Sequence, residues 1–168
     1  MNPLWTPWRM EHVTGKHVSE LKCIFEPPGD SSQDRKFLLL FRDQFLVILL
    51  NRFPYANGHL LVAPSRHVGD QDLLTYTEQS ALMWGITQGC KALRNIFHPD
   101  GLNVGLNWGK TAGAGIADHL HYHIVPRWEG DHNFMTVCAD IRTIPQHIDT
   151  TFDLLLPEIQ QLFSITPY

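Results

Sequence analysis

His119-Leu120-His121-Tyr122-His123-Ile124-Val125 is the stretch on which both fold and chemistry turn. Histidines at i, i+2 and i+4 alternate with other residues at the period of a β-strand. The imidazoles then share one face, and Leu120, Tyr122 and Ile124 share the other. A lone histidine in a strand is ordinarily a hydrogen-bonded surface or core residue; three in strict alternation beside a glycine-rich loop point to a site. Metal ligation is one reading, because His-x-His pairs on strands bind zinc. A strand rises about 3.3 Å per residue, however, so His119 and His123 stand roughly 13 Å apart, whereas zinc takes ligands at about 2 Å. At most two neighbours can share an ion without a sharp bend. The third imidazole needs another role.

The preceding segment, Asn103 to Gly115, suggests what that role is. Its small residues let backbone N–H groups, such as those of Gly113, Ala114 and Gly115, approach an anion closely, and Asn107 adds a side-chain amide. Lys110-Thr111 precedes the glycines instead of following them, so this is not a Walker loop. A phosphate held in front of an imidazole is the expected arrangement. Neutral imidazole is a competent nucleophile, and N–H donors stabilise charge on a phosphoryl centre.

Working outward, Leu102 to Asn107 alternates as a half-buried strand. Leu82, Ile86, Cys90, Leu93 and Phe97 lie on one face of a helix within Asp70 to Phe97, which Pro99 stops. Lys36 to Leu50 reads as two strands around Arg42-Asp43-Gln44, and His59 to Ala63 as a third. Ile148, Phe152, Leu155, Ile159 and Leu162 give a C-terminal helical stripe, which Pro157 should kink or split. The order β-β-β-α-β-β-α describes an α+β domain with a mainly antiparallel sheet of about five strands, one long helix and a C-terminal helix. A single domain spans 1–168, with an arm and loop over 1–34, a core over 35–135 and a helical extension over 136–168.

Composition excludes several classes. The chain has 168 residues, 43% of them hydrophobic and 18% charged, enough apolar residues for a core. A net charge of −4 without a basic run argues against a nucleic-acid partner. No apolar stretch reaches the ~18 residues of a membrane span, and the first residues lack a secretory signal. Three widely spaced cysteines do not make a disulfide framework, so a cytoplasmic setting is expected. Cys90 and Cys138 read as inert core, and His12, His17, His98, His132 and His147 as surface residues.

His119-Leu-His121-Tyr-His123-Ile-Val resembles the His-φ-His-φ-His-φ-φ signature of the histidine triad (HIT) superfamily of nucleotide hydrolases and transferases. Asn51-Arg52-Phe53-Pro54, Gly58-His59-Leu60-Leu61-Val62-Ala63-Pro64, Asn103-Val-Gly-Leu-Asn107 and Pro126-Arg127-Trp128 extend the match over roughly Cys23 to Phe134. The arm Leu4 to Met10 and the run Pro126 to Met135 look most like the bacterial diadenosine tetraphosphate phosphorylase branch. The resemblance implies a HIT-like fold and a covalent nucleotidyl-histidine intermediate on His121. It implies that His123 bonds to backbone and orients His121. His119 would contact the phosphate or leaving group, or serve a metal. The strand Phe45 to Leu50 would wall the adenine, Asn51 would lie near the ribose, and Trp128 could stack on a base.

The family's Gln or Ser just before the triad is Gly115 here, so those contacts must come from backbone amides or another donor. Where many bacterial relatives carry Cys-x-x-Cys, this chain has Cys23-Ile-Phe-Glu26. That leaves Cys23, Glu26, His67 and His119 as a ligand set for a structural zinc, while the chemistry itself requires no cofactor. The implied partners are an adenine nucleotide and a second copy of the chain, as a homodimer or higher homo-oligomer. The expected reaction is cleavage of diadenosine polyphosphates by phosphate or water. Hydrolysis of adenosine phosphoramidates or adenylates, or a nucleotide- or metal-binding module with little turnover, are the alternatives.

Overall fold

Leu46-Val-Ile-Leu-Leu50 is apolar at every position, as a strand covered on both faces must be. In the computed structural model, which describes residues 21–131, 146–165 and 167–168, this is β2 (Leu46–Leu50), buried throughout, and β3 (Leu60–Pro64) beside it is equally buried. With β1 (Leu39–Arg42), β4 (Gly101–Leu106) and β5 (Tyr122–Arg127) they form an antiparallel sheet of order β1-β2-β3-β5-β4. The triad strand β5 thus sits between β3 and the edge strand β4. In the register, Leu61 faces His123 and Val62 faces Tyr122.

Helices cover one face of the sheet. A short α1 (Asp34–Phe37) precedes β1, α2 (Tyr76–Phe97) follows β3, and α3 (Ile148–Leu162) closes the chain. Leu40, Ile48, Leu60, Val62 and Ile124 pack against Leu82, Ile86 and Leu93 of α2 and Phe152, Leu155 and Ile159 of α3. The helix α2 starts with a capping box between Thr75 and Glu78. Arg66 grips Glu78 through two hydrogen bonds of 2.8 and 2.9 Å and holds its carboxyl down at about 2. Gly89 has a steric reason: a Cβ there would come within 2.9 Å of Ile124 Cδ1, so glycine lets α2 lie close on the triad strand. The other sheet face carries a smaller cluster of Cys23, Phe25, Leu39, Val47, Leu49, Leu61 and Ala63. The triad histidines open onto this less covered side.

Four local expectations change. Lys36 and Phe37 belong to α1, since Leu38 takes a left-handed conformation (φ 59°) that ends the helix before the strand begins. Val104 is 46% exposed because β4 is an edge strand, paired among the described residues to β5 alone. The helix α3 runs unsplit through Pro157, carried by the buried Phe152, Leu155 and Ile159 on either side. Finally, β5 begins at Tyr122 and not at His119, because its ladder with β3 ends at the Val62–Tyr122 pair. His119 to His121 form an extended lead-in, tied to the chain by the Leu120 N–H donating to Val68 O (2.7 Å). The division expected between 34 and 35 falls inside α1. That between 135 and 136, the arm Leu4 to Met10, His12, His17, His132 and Cys138 lie outside the described residues.

Candidate active site

Each triad histidine meets a different partner, and the partner fixes which ring nitrogen carries hydrogen. A backbone carbonyl can only accept. His121 Nδ1 lies 2.8 Å from His119 O, so Nδ1 carries the hydrogen and Nε2 keeps its lone pair. His119 Nε2 lies 2.8 Å from Pro64 O, so there the hydrogen is on Nε2 and the Nδ1 lone pair faces Cys23 Sγ at 3.2 Å. His119 is fully buried, and its nitrogens point at Pro64 and Cys23 instead of toward a phosphate.

The third ring is set from further away. Tyr55 donates its backbone N–H to His59 Nδ1 (3.1 Å), which makes Nδ1 an acceptor. The Asn51 Oδ1 accepts from the Phe53 N–H (3.0 Å), so its Nδ2 faces the same His59 nitrogen at 3.2 Å. His59 therefore carries its hydrogen on Nε2 and donates it to His123 Nδ1 (2.9 Å). His123 in turn must carry its hydrogen on Nε2, a buried atom with no hydrogen-bond partner among the described residues. The backbone partner expected for His123 is thus a side chain, His59. It is His121 that bonds to backbone.

Burial keeps all three rings neutral. It pushes His119, His121 and His123 below the usual imidazole range, His123 to about 4 with help from the neighbouring His121. The His121 and His123 rings lie 5.0 Å apart, and Phe25 packs 4.9 Å from His121. His121 therefore keeps a lone pair on Nε2 and His123 an N–H on Nε2, on rings that meet edge to face at 63°.

The glycine-rich loop differs from expectation in its donors. A 3-10 turn over Lys110–Ala112 closes with Gly113 in a left-handed conformation (φ 94°). The Gly113 N–H donates to Lys110 O (3.0 Å) and the Ala114 N–H to Gly109 O (3.2 Å), so both amides are engaged within the loop. Asn107 Nδ2 reaches Gly113 O at 3.4 Å and braces the turn. The Gly115 N–H meets no acceptor among the described residues, and a Cβ at Gly115 would enter open space. Asn51 is half-buried with its amide on Phe53 and His59, and Leu46 to Leu50 form core instead of an open wall. Trp128 lies past the far end of β5, roughly 23 Å along the strand from His121.

A family model, the HIT domain, matches residues 33–130. The chain belongs to the histidine triad family. It is 37% identical over 161 residues to an AP-4-A phosphorylase of Mycobacterium tuberculosis, covering 92% of this chain and 83% of that one. A bis(5'-nucleosyl)-tetraphosphatase (asymmetrical) of Schizosaccharomyces pombe is 29% identical over 93 residues, 55% of this chain and half of that protein. Among solved structures, a Zn-bound histidine triad family protein from Mycobacterium smegmatis superposes with a TM-score of 0.61 at 27% identity, over 76% of this chain and 86% of that one.

This HIT chain gathers a donor cluster beside its triad. Cys23, His67 and His119 each place one donor atom so that all lie within 4.8 Å of one another. Glu26 does not join that trio; its Oε2 faces His67 Nδ1 at 3.3 Å. Thiol and imidazole suit zinc, and the Pro64 carbonyl on His119 Nε2 orients Nδ1 toward the cluster as an outer-shell partner would. The donor set therefore fits a zinc ion, with Glu26 as the carboxylate behind His67. Burial raises the Cys23 thiol above its ordinary range, so without metal the S–H donates to His119 Nδ1.

Two residues of the site were not singled out by sequence reasoning. His59 opens an apolar strand, and its partner lies 64 positions away across the β3–β5 ladder. Tyr55 acts first through its main chain, which no side-chain pattern reveals. A turn that delivers histidine directly into a strand was the available signal, since Gly58 adopts a left-handed conformation (φ 78°) just before His59.

Proposed function

We propose that this protein cleaves diadenosine polyphosphates by nucleotidyl transfer through His121. The observation that carries the reading is the His121 ring itself: held by His119 O at Nδ1, it keeps its lone pair on Nε2, and its centroid lies 5.0 Å from that of His123. The relatives named as an AP-4-A phosphorylase and a bis(5'-nucleosyl)-tetraphosphatase support the substrate class.

In the first step His121 Nε2 attacks an α-phosphorus. The N–P bond forms as the bridging P–O bond breaks, and the remaining nucleoside polyphosphate leaves as an anion. The positive charge gained by the imidazole is shared through Nδ1–H with His119 O. His123 donates a hydrogen bond from Nε2 to the oxygen on which charge accumulates, and the Gly115 N–H is the loop donor available to the phosphate. In the second step an acceptor oxygen attacks phosphorus and the N–P bond breaks, restoring neutral His121. His123 already carries its hydrogen on Nε2 and cannot take another without becoming cationic, which its burial opposes. A phosphate dianion needs no base to attack, whereas water does, so the site favours phosphate as acceptor.

Product analysis tests this. Diadenosine tetraphosphate with inorganic phosphate should give ADP plus ATP, and a nucleotidyl adduct on His121 should be trapped by rapid quench. AMP plus ATP regardless of phosphate would assign hydrolysis. Absence of any adduct would overturn the covalent route.

Cys23, His67 and His119, backed by Glu26, would hold a structural zinc that ties the segment around Cys23 to the end of β3 and the triad lead-in. Its role would be to stiffen the backbone that carries His119 O, outside the bond-making steps. A second copy of the chain is proposed to pair on β4, whose outer edge has no strand partner among the described residues. Among the described residues no helix is long and apolar enough to cross a membrane. A cytoplasmic setting suits the free thiol of Cys23.

A further inference from the structure

Tyr55 is 47% exposed, yet its ring lies against two imidazoles. Its centroid is 4.7 Å from that of His59 and 6.0 Å from that of His123, nearly parallel to the latter at 21°. Its backbone N–H is the unambiguous donor at the head of the relay that ends at His123 Nε2. We infer that Tyr55 is a positioning residue for the transfer: its main-chain N–H selects the tautomer of His59 and, through it, of His123, and its ring covers the pair so that the Nε2–H of His123 stays directed into the site. This rests on the function proposed above and deepens it.

Neutral histidine interconverts between two tautomers, and a His–His pair can in principle run its hydrogen bond either way. Reversed, His59 would carry hydrogen on Nδ1, directly opposing the Tyr55 N–H and the Asn51 Nδ2–H. Two donors facing a third would leave these part-buried groups unsatisfied. The reversed pair would also turn a lone pair of His123 toward the site, where it would repel a phosphate oxygen. The ring of Tyr55 adds a different constraint. Lying along both imidazoles, it limits their rotation about χ2 and excludes water that would offer the pair other partners.

The loop is held for this purpose from behind. The Asn51 N–H donates to His59 O (2.8 Å) and the His59 N–H to Ala56 O (3.2 Å). Asn57 Nδ2 donates to Gln146 Oε1 (2.9 Å), which also accepts from Thr151 Oγ1 (2.9 Å) at the start of α3. The turn is thus fastened to the C-terminal helix, while the tyrosine ring is left as its exposed tip over the imidazoles.

The test uses the full-length protein labelled with nitrogen-15 in histidine, comparing wild type, Tyr55→Phe, Tyr55→Ala and Tyr55→Pro. Two-bond nitrogen–proton correlation spectra should show His59 and His123 as single Nε2–H tautomers and His121 as Nδ1–H in wild type and in Tyr55→Phe. Tyr55→Ala removes the cover, and Tyr55→Pro removes the donor. Both should mix the His123 tautomers and lower kcat by roughly 10- to 100-fold, the scale of a misplaced catalytic group. KM should stay within about threefold. Unchanged tautomers with kcat within twofold in Tyr55→Ala and Tyr55→Pro would overturn the inference. So would a loss confined to KM, which would make Tyr55 a substrate contact, or an equal loss in Tyr55→Phe, which would assign the effect to the hydroxyl. The spectra stand apart from turnover: a wild type with the stated tautomers but no His121 adduct would refute the function while leaving the tautomer relay intact.

Discussion

Replacing His121 by asparagine separates nucleophile from scaffold. The asparagine Nδ2 falls near the place of the imidazole Nδ1 and can still donate to His119 O, the 2.8 Å bond that anchors the native ring. What disappears is the Nε2 lone pair, together with ring area packed 4.9 Å from Phe25 at a residue only 7% exposed. The stability loss should therefore be about 1–2 kcal/mol, that of trimming a buried ring while keeping its hydrogen bond. Turnover should fall on the order of 10³-fold or more, since a covalent route has no path without its nucleophile. The assay is chromatographic separation of adenine nucleotides from a diadenosine polyphosphate with inorganic phosphate, beside calorimetric binding and a thermal melt. Nucleotide affinity should stay within about threefold. The companion His119→Asn should do the reverse, loosening the Cys23–His67 cluster and lowering the melting temperature while leaving more activity. Activity of His121→Asn within tenfold of wild type, or a greater loss of turnover in His119→Asn, would refute the assignment.

Three further outcomes test the surrounding chemistry. His123 sits near 4 when folded and near 6.5 when unfolded, so the unfolded chain binds more protons between those values. Stability should accordingly fall as pH drops from 6.5 through 4, by about 3 kcal/mol from this group, and His123→Gln should flatten that limb of the denaturation profile. If zinc occupies the Cys23–His67–His119 cluster, a chelator should lower the melting temperature more than it lowers kcat at a temperature where the protein stays folded; zinc-free protein with an unchanged melt would eliminate the site. Trp128→Ala should leave mononucleotide affinity within threefold and weaken a dinucleoside polyphosphate by roughly tenfold or more if the distal base stacks there. Equal losses for both ligands with a lowered melting temperature would make Trp128 a packing residue.

The periods in the sequence carried the fold well because they are local. The alternation of His119, His121 and His123 announces a shared face, and the stripe from Leu82 to Phe97 announces α2, since each depends on residues a few positions apart. What composition could not show is where hydrogen bonds go. Gly113 and Ala114 look like free amides in sequence, yet a 3-10 turn directs both to carbonyls of their own loop. Asn51, expected near the ribose, has a second task that its position in the sequence does not reveal: its amide braces His59. Pro157 looks like a break, yet the packing of Phe152, Leu155 and Ile159 outweighs the one backbone bond it removes. Local pattern failed where the direction of a hydrogen bond or the packing of a helix face decided the outcome, even between residues a few positions apart.

The divergence of three identical side chains is the step that converts this fold into a reactive site. An imidazole has no fixed role until something decides which nitrogen carries hydrogen, and here each decision is made by a group that cannot itself titrate near neutrality. Pro64 O and His119 O can only accept, while the Tyr55 N–H can only donate. Because these are main-chain groups of β3, the triad lead-in and the turn before β3, the three roles depend on where the backbone is held, with the His59 side chain passing the last of them on to His123. Shifting the backbone that presents these groups should therefore disturb the site even where none of its own side chains is replaced. Gly58 offers that comparison. A Cβ at this position would press to 2.9 Å from Leu93 Cδ2 and 3.0 Å from Phe97 Cε2, in a left-handed conformation that alanine tolerates poorly. The strain, about 1 kcal/mol for φ and about 1–3 kcal/mol for overpacking, can be relieved by moving the turn that carries His59. Gly58→Ala should thus reduce kcat by tenfold or more though no substituted atom comes near the substrate. A variant that lost stability but kept full kcat in its folded fraction would show that the tautomers survive a displaced backbone, and that the three roles do not depend on where it is held.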